Sequence, residues 1–360
     1  MKKKIVEYDY VRAVAVLLVI LGHCRGYGFY TDYGGLGYLG IDAFQSKASA
    51  VLGLITSTLY SFHMPLFVAL SGCLWAVTLR NKGLSTFKSL VTNKSERLLL
   101  PFLFTFLFWE APLKYIAGWW QGSNIDILYQ IIVGNILMYG NSNSHLWFLQ
   151  ALFIIFILAY FIERGELRRN PIKFMCVIIL LSFVGRYAES HHYRLLNIQT
   201  SLIYLSWFYV GFYFECYREK INSFVKTHVK WKVLIAATLF YPMIVYLNGK
   251  LPGASRYLSY YPIAIWGMFV TYCLCYKALQ ITPPHCLTFV NKISSYSYGL
   301  YLFSCPPNYI IIKAVAYFDI SCYFASDAFT VGIYLFRFLF TTAVAWGITV
   351  AVRKYTKLKI

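Results

Sequence analysis

Runs of about twenty residues dominated by Leu, Ile, Val, Phe and Tyr recur along the chain, and they constrain its fold more than any other feature. That is the length a helix needs to cross the hydrocarbon core of a bilayer. With 59% hydrophobic and only 13% charged side chains, the chain has too little polar surface for a soluble globule. Ten such runs are placed at about 8–26, 56–79, 98–117, 145–162, 172–188, 198–217, 231–248, 257–279, 294–317 and 329–352. The expected architecture is an all-α integral membrane protein, a bundle of about ten transmembrane helices making one domain over residues 1–360. The run behind Lys2-Lys3-Lys4 is long enough to remain as a span, and no small-residue cleavage site follows it.

Basic residues orient the bundle, because cytoplasmic loops are enriched in Lys and Arg. With the N-terminus inside, 23 of the 33 Lys and Arg fall on the cytoplasmic side and 8 outside, with Arg12 and Arg337 counted within spans. Both termini are therefore expected in the cytoplasm. The net charge of +19 does not point to nucleic acid, since the cations sit in short clusters between apolar runs rather than on one face. Nine cysteines form no CxxC pair, so neither a disulfide framework nor a bound metal is expected. The two long outer loops, 27–55 and 118–144, are rich in Gly, Tyr, Asn and Ser. Their aromatics suit a sugar-like ligand, or equally an interfacial aromatic belt. Within the second loop, the apolar patch Ile125–Met138 is expected to form a re-entrant or interfacial helix.

Chemistry concentrates in the first run, YDYVRAVAVLLVILGHCRG (8–26). Arg12 and His23 are eleven residues apart, which returns to within about 20° of the same helix face, roughly 16 Å further along. Asp9 stands three residues before Arg12 and can pair with it. A snorkelling interfacial arginine would account for Arg12 alone, but not for the aligned pair. The second run carries Ser61-Phe62-His63-Met64-Pro65 and Ser71-Gly72. Pro65 is expected to kink it and Ser71-Gly72 to permit close helix approach, while His63 is either a functional histidine or a satisfied one at a packing kink. Lys94 and Arg97 open the third run at the cytoplasmic surface, where a phosphorylated ligand would arrive or where simple anchoring would place them.

In this order the motifs resemble the membrane-bound acyltransferase-3 family, bacterial enzymes that O-acetylate surface sugars. The matching residues are Asp9-x-x-Arg12 with His23, the block Phe62-His63-Met64-Pro65-Leu66-Phe67 with Ser71-Gly72, and Arg97 with Pro101. Leu146-Trp147-Phe148-Leu149 and Ser297-Tyr298-Gly299-Leu300-Tyr301-Leu302 complete them. Ser304 stands where many members carry a histidine, so no catalytic role carries over to that corner.

The resemblance implies acetyl-CoA as donor, a carbohydrate acceptor that is free or lipid-linked, and a place in the bacterial cytoplasmic (inner) membrane among its lipids. It implies His23 as general base, with His63 as its rival and Asp9 holding Arg12. It also implies Arg12, Lys94 and Arg97 at the CoA phosphates, and Ser71, Trp147 and Tyr301 toward the acceptor, with His63 and Ser71 as guesses for the oxyanion donor. An imidazole of ordinary pKa, ~6.5, can take the proton of an attacking hydroxyl. A multi-span transporter or flippase is the alternative reading, although the inverted repeats or paired broken helices it should show are not visible. A structural or receptor-like protein would not need Arg12 and His23 on one stripe.

Overall fold

A computed structural model describes residues 5–37, 46–121, 125–140 and 144–360. The helices of the first half are α1 (Val6–His23), α2 (Lys47–Tyr60), α3 (His63–Lys82), α4 (Phe87–Lys94), α5 (Leu100–Thr105), α6 (Ala111–Ala117), α7 (Ile127–Tyr129) and α8 (Trp147–Arg164). The second half adds α9 (Pro171–Ser190), α10 (Ile198–Cys216), α11 (Arg218–His228), α12 (Trp231–Gly249), α13 (Gly253–Ile281), α14 (Pro284–Ser304), α15 (Pro307–Tyr317) and α16 (Asp327–Tyr355). Strands β1 (Gly28–Thr31) and β2 (Gly34–Gly37) pair antiparallel between α1 and α2.

Among the described residues, seven helical segments are long and apolar enough to cross a membrane. They are Lys47–Lys82, Phe87–Ala117, Trp147–Arg164, Pro171–Ser190, Trp231–Gly249, Gly253–Ile281 and Asp327–Tyr355. The other three expected spans are α1, α10 and α14, which holds the first part of 294–317; these helices have 18, 19 and 21 residues. They are less apolar for a physical reason. α1 carries Glu7, Asp9 and Arg12, while α10 and α14 are diluted with Ser, Thr, Gln, Asn and Tyr, and all three pack at the centre of the bundle. The periphery is the reverse, with Leu239, Phe240 and Met243 of α12 exposed. Apolar outside and polar inside is the pattern of a protein solvated by lipid.

Four expected elements are corrected. The loop 27–55 holds a short β-hairpin within an otherwise all-α fold, and α2 begins inside it at Lys47, nine residues before the expected run; residues 38–45 lie outside the described part. The second run is two helices broken at Ser61-Phe62 rather than one kinked helix. Pro65 cannot donate to the carbonyl one turn earlier. Across the break, the His63 ring donates from Nδ1 to the Leu59 carbonyl at 2.7 Å, tying the start of α3 to the end of α2. The run 294–317 is likewise two helices, α14 starting ten residues earlier and breaking at Cys305-Pro306 before α15. Lys114, counted among the outer basic residues, is fully buried.

Two expectations find their counterpart. The patch Ile125–Met138 contains a short apolar helix, Ile127–Ile136. Gly72 allows close approach: a methyl there would run into the Phe208 carbonyl of α10, and one at Gly211 into Ala69 of α3.

Candidate active site

α1 is enclosed by α2, α3, α13, α14 and α16. Its buried residues, Tyr8 to Gly22, cover an arc of about 200° when projected at about 100° per residue, and Arg12 and His23 fall near its centre. Residues so placed should be sealed, yet the Arg12 side chain is 29% exposed and His23 is half-buried. Each therefore keeps some accessible surface although it lies on the helix's buried face. Between them Val16 and Val19 are buried.

At the Arg12 end, Arg12 Nη1 meets Asp9 Oδ1 at 3.4 Å, and Ser294 of α14 donates to the same oxygen at 3.0 Å. One turn further along α14, the Tyr298 hydroxyl donates to the Arg97 carbonyl at 2.5 Å. One face of α14 thus ties the Asp9–Arg12 pair and the Arg97 backbone to a common support. Arg97 itself is exposed, in a π-helical turn (Ser95–Leu99) that directs it away from the α4 register. Lys94 is held over the Phe156 ring at 3.2 Å, with Trp75 at 5.9 Å. Asp9 is fourteen residues from His23, about 21 Å along the helix, so it positions Arg12 and does not touch the histidine.

At the other end, the Tyr60 hydroxyl lies 3.2 Å from His23 Nδ1, and the Tyr60 ring stands edge-on to His63 with centroids 4.8 Å apart. The two histidines are brought together through a tyrosine that the motifs did not mark. The Tyr60 ring also occupies the space at Gly22; a Cβ on Gly22 would sit 3.2 Å from it. With Nδ1 engaged by Tyr60, Nε2 of His23 remains for a substrate. His145, His63 and Arg337 are close enough to act on His23 electrostatically.

Arg337 and a second charged group were missed by sequence reasoning. Arg337 is fully buried, donating from Nε to Asn308 Oδ1 at 2.8 Å and from Nη2 to the Gly26 carbonyl at 2.9 Å. Its Nη1 and the Asn308 Nδ2 have no acceptor among the described residues. Glu110 and Lys114, four apart in the third run, form a buried pair at 2.8 Å. Ser144 donates to Glu110 at 3.0 Å, His145 Nδ1 is 3.5 Å from it, and Lys114 donates to Asn135 at 2.7 Å. A charge inside each of two apolar runs was the available signal.

The remaining expected residues are not gathered at His23. Ser71 donates back to the Phe67 carbonyl at 3.1 Å and sits eight residues beyond His63, about 12 Å along α3. The Tyr301 hydroxyl donates to the His145 carbonyl, inside the core. Trp147 lines a cavity of about 260 Å³ with Arg186, Asn197 and Tyr204. A larger cavity, about 1040 Å³, shares Arg186 and Tyr204 with it and reaches Tyr60 and Ser61 beside His23.

This geometry can be set against known proteins. The chain is similar to the nodulation protein NolL of Mesorhizobium japonicum, 33% identical over 153 residues, which is 42% of this chain and 34% of the relative. It is also similar to the nodulation protein NolL of Sinorhizobium fredii, 28% identical over 99 residues, 28% of this chain and 22% of the relative. The alignments thus span about a third or less of the curated relatives they match. No solved structure matches. The family profile described as "Acyltransferase domain" matches residues 5–350, nearly the whole chain, and includes the Arg12–His23 stripe, the Tyr60–His63 break and the buried Arg337. The protein belongs to the acyltransferase-3 family.

Proposed function

We propose that the protein is a membrane-bound O-acyltransferase that moves an acetyl group from acetyl-CoA to a sugar hydroxyl of a surface polysaccharide or its lipid-linked precursor, in the bacterial cytoplasmic membrane. One observation carries the reading. Arg12 and His23 occupy the centre of the buried face of α1, at its two ends, and both keep access to solvent. That arrangement suits a donor anchored at one end and an acceptor at the other.

The CoA phosphates bind Arg12, Lys94 and Arg97, with Arg12 held by Asp9 and Ser294. The pantetheine arm is of the same order of length as the roughly 16 Å between Arg12 and His23. His23 Nε2 takes the proton of the acceptor hydroxyl as its oxygen attacks the thioester carbonyl. The tetrahedral oxyanion needs a fixed donor, and Arg337 Nη1 is a candidate, being without an acceptor among the described residues and close enough to act on His23. Collapse breaks the C–S bond, and the leaving thiolate recovers the proton from His23.

The test is the O-acetyl content of surface polysaccharide in cells with and without the protein. Loss of O-acetyl groups on deletion and their return on complementation support the reading. Unchanged content, together with no acetyl-CoA binding by the purified protein, overturns it.

A further inference from the structure

The larger cavity at the His23 end carries a chemical signature beyond that of a neutral sugar. Its walls come from α2, α9, α10, α12 and α13, and its lining includes Arg186, Lys250 and Arg256 but no carboxylate. In the adjoining smaller cavity the one acid, Glu189, is 3.7 Å from Arg194. Arg186 belongs to both cavities. Its guanidinium lies 5.2 Å from the Tyr257 ring and 5.3 Å from the Tyr260 ring, and no described residue hydrogen-bonds or ion-pairs with it. Two aromatic rings thus hold the guanidinium, and no described residue takes up its donors. Lys250, beside Tyr246 at 5.1 Å, and Arg256 stand exposed at the rim.

Arg186, half-buried among aromatic rings, is the cation that gains most from an anionic partner, and Lys250 and Arg256 at the rim add positive potential to the same chamber. We propose that this cavity recognises its acceptor through a phosphate ester, as a glycosyl phosphate or diphosphate, with Arg186 as the bidentate ligand. The proposal rests on the reading above that the acceptor enters at the His23 end. A phosphate carries about −1.5 to −2 charges at neutral pH, a better match to three cations than a single carboxylate. Tyr60, Tyr204 and Tyr246 supply flat faces for the attached sugar, and Tyr60 places that sugar beside His23.

The test is direct binding to the purified full-length protein in lipid nanodiscs, with glucose, glucose 1-phosphate and undecaprenyl phosphate as probes. At least one phosphate probe is expected to bind about tenfold or more tightly than glucose, the gain of one charge-assisted contact. Arg186→Gln should remove that gain and Arg186→Lys restore part of it. The double variant Lys250→Gln, Arg256→Gln, at the exposed rim where folding is not at stake, should weaken phosphate binding by a few-fold. Tighter binding of undecaprenyl phosphate identifies a lipid-borne source, tighter binding of glucose 1-phosphate a soluble one, and either supports the proposal. Equal binding of glucose and both phosphates, or a phosphate preference untouched by all three variants, overturns it. Because no acetyl transfer is measured, the result is independent of whether the acyltransferase reading stands.

Discussion

The Tyr60 hydroxyl sits 3.2 Å from Nδ1 of His23 and so links the base proposed for catalysis to the break between α2 and α3. A continuous helix through residues 56–79 would carry Tyr60 along a different path. The break at Ser61-Phe62 lets its ring lie against Gly22 and its hydroxyl meet the imidazole. Tyr60→Phe removes one hydrogen bond that orients His23, an interaction typically worth about 0.5–1.5 kcal/mol. Acetyl transfer should fall by about two- to tenfold with donor binding unchanged. Kinetics of the purified variant check this, and a loss of donor affinity instead would contradict it.

At the opposite end, Arg12→Ala should weaken acetyl-CoA binding by about ten- to a hundredfold, as expected for a lost charge-assisted contact. Arg12→Lys should recover only part, since a point charge lacks the guanidinium fork. Ser294→Ala, which frees Asp9 Oδ1 from its hydroxyl donor, should cost a smaller factor in the same assay. Unchanged affinity in both Arg12 variants would assign Arg12 to anchoring.

Much of this site was legible because helical periodicity is local. The eleven-residue spacing fixes the Arg12–His23 stripe whatever surrounds it, and three-residue spacing pairs Asp9 with Arg12. What was not legible depends on several helices at once. Tyr60 reads as one aromatic among many until the chain breaks after it. Arg337 reads as a single charge in an apolar run until α15 brings Asn308 beside it. The large cavity draws on five helices, and no local pattern announces it. Pro65 and Pro306-Pro307 did mark the two breaks, but proline signals a kink and a full break alike.

The buried Glu110–Lys114 pair makes a prediction about stability. Glu110→Ala takes away the carboxylate that Lys114 and His145 face inside the bundle. Breaking a buried ion pair on one side typically costs about 3–5 kcal/mol. The variant should show a clearly lowered unfolding temperature in detergent, and Glu110→Gln a smaller drop. A wild-type unfolding temperature for Glu110→Ala would remove the pair from any structural role.

The topology is open to a simple experiment. Reporter fusions after Asn197, at the head of α10, and after Asn222, in α11, should report opposite sides of the membrane, with the second one cytoplasmic. Both on one side would contradict a ten-span arrangement with cytoplasmic termini.

The most direct test of the central claim compares His23 with His63, the other histidine that Tyr60 touches. A general base contributes typically about 10²–10⁴-fold to rate. His23→Gln should therefore abolish most acetyl transfer from acetyl-CoA while the protein still inserts and still binds the donor. His63→Gln loses its hydrogen bond to the Leu59 carbonyl and should retain substantial activity, with a cost in stability. Transfer is measured as O-acetyl content of surface polysaccharide in cells expressing each variant at matched levels. The account predicts a near-complete loss for His23→Gln and a partial one for His63→Gln; near wild-type O-acetylation with His23→Gln would contradict it.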